Sequence, residues 1–179
     1  VQEHLIEAIY RVLTRHEVFW MSLDLKRPLM HRQEIRDFPI PVMDWAVQGN
    51  EHTHFKRASS ILFNMGLWPY QNQVPCISIQ CIRSAESLWY VALVAPHVFV
   101  DGLALQIVVR EICAVYESLE QGQKPLLPEI PLRLQDYLAW EKQAVSRDYI
   151  EQGLAHYESV PWQDPNIVLP KSILTQSQH

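Results

Sequence analysis

A chain of 179 residues, 48% hydrophobic and 20% charged, is long enough for one sizeable core and has the composition of an ordinary globular domain. Its 15 basic and 20 acidic residues give a formal net charge of -5 and are spread along the chain, which argues against a nucleic-acid stripe or a polybasic lipid-binding patch. With no signal peptide and no apolar run near the ~18 residues of a membrane span, the expected location is the cytoplasm. Cys76, Cys81 and Cys113 fall in apolar stretches and read as reduced core residues rather than a disulfide framework. The first residue, Val1, already lies in a helical pattern, as expected of a domain excised from a longer chain.

Leu5, Ile9, Val12 and Leu13 recur at helical spacing, so Val1 to Glu17 is an amphipathic helix. From Val18 to Asp44 the pattern loosens. Phe19 to Leu23 is strand-like, and Pro28, Pro39 and Pro41 punctuate the residues after it, so short strands joined by turns are expected. Asn50 to Phe63 carries Phe55, Ala58, Ile61 and Leu62 at helical spacing, with Asn50 as N-cap and Gly66 and Pro69 as terminators. Pro75 to Ile82 alternates, Ile77, Ile79 and Cys81 facing one way and Ser78 and Gln80 the other. After the polar turn Arg83 to Ser87, the apolar run Leu88 to Ala95 reads as a buried strand.

The next helix starts after Gly102 and is expected to bury Leu105, Val108, Val109, Ile112, Val115 and Leu119, with Gly122 as its stop. Lys124 to Pro131 is a proline-rich connector. Leu132 to Val160 is helical again, anchored by Leu134, Tyr137, Leu138, Trp140, Tyr149, Leu154 and Tyr157, with Ser146 and Gly153 weakening its continuity. Beyond Pro161 the chain is proline-marked, and residues 171–179 read as a tail or linker after a domain spanning 1–170. The alternation of helices and strands predicts an α/β chain, an α+β sandwich in which helices pack on a mixed sheet.

Between the strand ending at Ala95 and the helix starting at Gly102 stand His97 and Asp101, in a turn where a polar side chain can be displayed by rigid elements while staying partly out of water. A histidine titrates near neutral pH and can take a proton from an attacking amine. Gly102 would let the backbone approach a substrate closely, and Asp101 would fix the turn. Plain structural roles stand beside these: His97 as a satisfied structural histidine, Asp101 as a helix N-cap, Arg15-His16-Glu17 as a solvated helix end, and Tyr137 and Trp140 as packing anchors. His52 and His54 lie two residues apart on a predicted helix, so with His31 they do not converge on a metal, and none is expected.

Taken in order, Arg15-His16-Glu17, Pro96-His97-Val-Phe-Val-Asp101-Gly102, Leu134-Gln-Asp-Tyr137-Leu-Ala-Trp140-Glu, His156-Tyr157 and Leu169-Pro170 resemble the N-terminal lobe of a nonribosomal peptide synthetase condensation domain. That family has an Arg-His-Glu helix end, a His-His-x-x-x-Asp-Gly core, an Asp-Tyr-x-x-Trp helix, a Tyr-Trp pair and a Leu-Pro exit. The chain departs from it in three ways. Pro96 replaces the first core histidine, an arginine usual after Arg-His-Glu is replaced within Val18-Phe19-Trp20, and the opening strand and the second lobe are missing. The resemblance implies a chloramphenicol acetyltransferase-like lobe whose active site lies between two lobes.

It further implies acyl transfer, forming an amide or ester between carrier-bound thioesters in a nonribosomal peptide or hybrid polyketide assembly line. His97 is the implied general base or amine-positioning group, with Asp101 salt-bridged to an arginine and Gly102 beside it. The implied partners are acyl or peptidyl carrier proteins bearing phosphopantetheine arms and the second lobe; no directly bound cofactor, nucleic acid or membrane is expected. Two other readings fit the same residues: a catalytically inactive scaffold or carrier-docking module, and an acyltransferase of the same superfamily that uses coenzyme A thioesters.

Overall fold

The computed structural model describes residues 1–160 except 25, 28, 47–49 and 68–73. Pro28 and Pro69, the Leu169-Pro170 exit and the tail 171–179 therefore lie outside the described residues. The chain divides into two compact units, Val1–Leu134 and Gln135–His179.

The first unit opens with α1 (Gln2–Arg15), whose stripe Leu5, Ala8, Ile9, Val12 and Leu13 is buried. A 3-10 turn, Glu17–Trp20, comes next, where the sequence reads as the start of a strand. Phe19 and Trp20 use this turn to enter the core from the end of α1. The indole Nε1 of Trp20 donates to the Leu13 carbonyl at 2.8 Å, satisfying a helix-end acceptor. Strands β1 (Met21–Asp24) and β2 (Leu29–Arg32) form an antiparallel pair. The turn between them is held by Asp24, whose Oδ1 accepts from the Lys26 and Arg27 amides at 2.9 and 3.2 Å.

The second sheet is mixed. β3 (Val42–Asp44) runs parallel to β4 (Ser78–Arg83), and β4 pairs antiparallel with β5 (Trp89–Val94). The expected alternation holds, with Ile77, Ile79 and Cys81 buried toward α1. Ile82 points the other way, into a smaller cluster with Trp45 and with Ala58 of α2 (Glu51–Leu67). The sheet thus carries helices on both faces. β5 lies at an edge of this sheet and is mostly half-buried, rather than the fully buried strand its apolar run implies.

Asn50 caps α2 as expected, its Oδ1 accepting from the Thr53 amide at 3.0 Å. Gly66 lies inside the helix instead of ending it. The buried face of α2 is His54 and Ala58; Phe55 and Leu62, expected inward, are exposed. The sequence pattern does not mark His54, because a buried imidazole needs a partner that lies far along the chain. Its Nδ1 sits 2.7 Å from the Ser84 hydroxyl.

Helix α3 (Gly102–Glu120) buries Val108, Ile112 and Val115 and packs along α1. Leu105 and Leu119 are partly buried, and Val109 is exposed at 45%, a correction to its expected inward place. Gly122 ends the helix at φ 66°, where its amide donates to Leu119 O at 3.0 Å and Gln123 N donates to Ser118 O at 2.8 Å. This left-handed cap favours glycine for want of a Cβ.

In the second unit, the predicted long helix is two: α4 (Leu134–Ala144), which begins at the unit boundary, and α5 (Arg147–Ser159). Ser146 makes the break by capping α5, its hydroxyl accepting from Tyr149 N at 3.2 Å, whereas Gly153 lies within α5. Neither helix has a buried residue, so Tyr137, Leu138, Trp140, Tyr149, Leu154 and Tyr157 are exposed apolar groups rather than core anchors. No helix among the described residues is long and apolar enough to cross a membrane.

Cys76 and Cys81 are core residues, as expected, but Cys113 is exposed on α3. Burial pushes the Cys76 thiol up to about 12 and the Cys81 thiol up to about 11, so neither offers thiolate near neutral pH. Under native conditions iodoacetamide should alkylate Cys113 alone, and Cys113→Ser should abolish labelling. Mass spectrometry finding Cys76 or Cys81 modified at the same rate would contradict this packing.

Candidate active site

The turn between β5 and α3 is built from the inside out. Phe99 and Val100 are buried at 9% and 6% exposure and plug the turn into the main core. Their amides both donate to Pro96 O, at 3.0 and 3.4 Å, closing the loop over a proline whose φ is preset. With the two apolar residues taking the inward positions, His97 and Val98 are turned outward and are exposed. The imidazole is therefore displayed to solvent, not half-sheltered as expected, and no residue among those described bonds to its ring.

Asp101 is extended, at φ -105° and ψ -177°, and caps α3 through Oδ1, which accepts from Ala104 N at 2.8 Å. The N-cap reading holds, and the carboxylate thereby fixes the start of the helix beside His97. No cation pairs with Asp101 among the described residues, and the arginine that the resemblance implies for it can belong to the second lobe. Phe19 and Trp20, in the segment where the family has an arginine, are both buried in the core. At Gly102, the first residue of α3, an added Cβ would meet nothing within 4 Å among the described residues, so their packing does not demand glycine there.

Arg15, His16 and Glu17 are not a solvated helix end. Glu111, on α3 and 14% exposed, is shared by His16 Nε2 at 2.7 Å and Arg15 Nε at 3.4 Å, the latter at ion-pair rather than hydrogen-bond geometry. Arg15 also donates to Pro128 O, and Glu17 Oε1 accepts from Leu134 N at 2.7 Å. The triplet therefore ties the end of α1 to the helix that starts at the turn and to the 121–134 connector. Glu111 is the residue that sequence reasoning misses. Its only signal is a carboxylate beside Val108 and Ile112 in an apolar stripe, which needs a cation from another element. Glu111→Ala should cost about 1–3 kcal/mol in chemical denaturation, because it removes the hydrogen-bond partner of His16 and the charge partner of Arg15 at a partly buried position. A change below about 0.5 kcal/mol would reduce the triplet to an ordinary surface pair.

Within the first unit, the other histidines weighed in the sequence do not join the turn. His54 is committed to Ser84 and Trp45, and His31 lies exposed on β2. In the second unit Tyr137 and Trp140 meet at a tilt, with ring centroids 5.7 Å apart, and His156 and Tyr157 meet edge-on, also at 5.7 Å.

The family model for the condensation domain matches residues 1–179. A linear gramicidin synthase of Brevibacillus parabrevis is 29% identical over 138 residues, 76% of this chain and 2% of that protein. The starter condensation domain of rhizomide synthetase superposes with a TM-score of 0.72 at 17% identity, covering 91% of this chain and 42% of that one. A nonribosomal peptide synthetase condensation enzyme, VibH, superposes at 0.70 with 19% identity, covering 90% of this chain and 38% of that one. The chain thus spans less than half of each solved structure and a small fraction of the curated relative.

Proposed function

The chain belongs to the condensation-domain family as an N-terminal, chloramphenicol acetyltransferase-like lobe, and from that premise we propose that it supplies the histidine-bearing side of an enzyme joining two carrier-bound substrates in nonribosomal peptide synthesis. The carrying observation is the outward presentation of His97 by a turn whose own apolar residues are locked in the core. In the reaction, the acceptor amine attacks the donor thioester carbonyl, the C–N bond forms, the C–S bond breaks and the donor carrier leaves as a thiol. The amine proton passes by way of His97, which orients the amine and accepts the proton, to the departing sulfur. A thioester is already activated, so no nucleophilic side chain is required. Asp101 holds the helix start, and the free first-turn amides of α3 favour the anionic oxygen of the tetrahedral intermediate.

Gly102 supplies the test that separates this function from mere scaffolding. No described residue comes within 4 Å of a Cβ added there, which leaves room for a substrate to approach the backbone closely. Gly102→Ala should therefore keep or raise the melting temperature while lowering amide formation from two loaded carrier proteins at least about tenfold. Unchanged product formation would remove Gly102 from the site.

A second reading has its own support: Pro96 in place of the first core histidine fits an inactive docking module, for which loaded carriers would bind and give no amide. Turnover of coenzyme A thioesters without any carrier would instead favour the coenzyme A-dependent reading. The setting of a hybrid polyketide line belongs with the proposal and is tested by the identity of the carriers that load.

A further inference from the structure

A cleft of about 410 Å3 opens at the end of α1, and none of His97, Asp101 and Gly102 lines it. Its volume is that of a small-molecule site. Arg15, Arg32 and Arg133 line it against a single acidic side chain, Glu17. Glu17 is spoken for, because Oε1 accepts from Leu134 N at 2.7 Å. Arg15 is held by Glu111 and Pro128 O, which fixes one guanidinium at the wall. Arg32 is exposed and has no ion-pair partner among the described residues. With Glu111 set against Arg15, the exposed Arg32 is the guanidinium at this wall that no described carboxylate answers.

The other walls are apolar, with Ile35, Ile130 and Leu132 beside the arginines. Guanidinium groups next to aliphatic walls match an amphiphile: a planar or tetrahedral oxyanion held by forked N–H donors, with a short hydrocarbon body covering the apolar side. We propose that this cleft binds a small organic anion, a carboxylate or phosphate monoester carrying a short aliphatic body.

The test uses octanoate, octyl phosphate and the neutral octyl glucoside with the full-length protein that carries this domain, read by isothermal titration calorimetry. Saturable binding of at least one of the two anions is expected, and which of them binds identifies the head group. Arg32→Gln should weaken it about tenfold, the scale of one lost charge-assisted hydrogen bond. Arg32→Glu, an exposed change that leaves the core untouched, should abolish it. Absence of saturable anion binding, equal binding of octyl glucoside, or affinities in Arg32→Gln matching the parent would each overturn the proposal.

Discussion

His97→Ala should lower amide formation from two loaded carrier proteins by about 100-fold or more, the usual contribution of a positioned general base. The melting temperature should stay within about 1 °C of the parent. That second half rests on the geometry: His97 is exposed and bonded to no described residue, and the turn is held by Phe99, Val100 and Pro96 without it. Loss of activity without loss of stability is what separates a group acting on substrate from one that shapes the fold. His97→Gln, which keeps a hydrogen-bonding side chain but cannot take a proton near neutral pH, should recover little of the rate if proton transfer matters. It should recover most of it if His97 only orients the amine.

Trp20→Ala should produce the largest loss of stability, about 3–5 kcal/mol by chemical denaturation. The indole is 1% exposed, edge-on to Phe38 at a centroid distance of 5.7 Å, and its Nε1 holds the Leu13 carbonyl at the end of α1. Truncation opens a large cavity and orphans a helix-end acceptor. Trp20→Phe keeps most of the volume and loses only the hydrogen bond, so it should cost about 1–3 kcal/mol, the penalty of an unsatisfied buried acceptor. A cost below about 1 kcal/mol for Trp20→Ala would mean that the 3-10 turn does not anchor α1 to the core.

Local chemistry accounts for what is legible in the amino-acid sequence. The period of α1, the alternation of Ile77, Ile79 and Cys81, the Asn50 and Asp101 caps and the Gly122 stop each depend on neighbours within a few residues, and each is found. The elements that differ need information from elsewhere in the chain. Phe19 and Trp20 read as strand because an apolar run fits either element, and the Leu13 carbonyl that recruits Trp20 is set by the helix end. Tyr137, Trp140, Tyr149 and Leu154 repeat at helical spacing, yet spacing states only that they share faces, not that anything covers those faces.

The site divides in the same way. Its position between strand and helix is visible in the switch of pattern at Gly102, and the ordered motifs point to its family. The exposure of His97 is not visible, because it depends on Phe99 and Val100 taking the inward places in a turn whose shape the pattern does not specify. Glu111 is hidden for a related reason: a single carboxylate on α3 gains meaning only when α1 is laid against it and brings Arg15 and His16 within reach.

The most direct measurement is a single-turnover assay with donor and acceptor carriers both loaded, tracking the new amide by intact-protein mass spectrometry in the parent protein and in His97→Ala. Rapid transfer of the acyl group to the acceptor carrier in the parent, with the variant falling to the uncatalysed rate, is the predicted result. Equal transfer in both proteins would contradict the assignment of acyl transfer to the turn that carries His97.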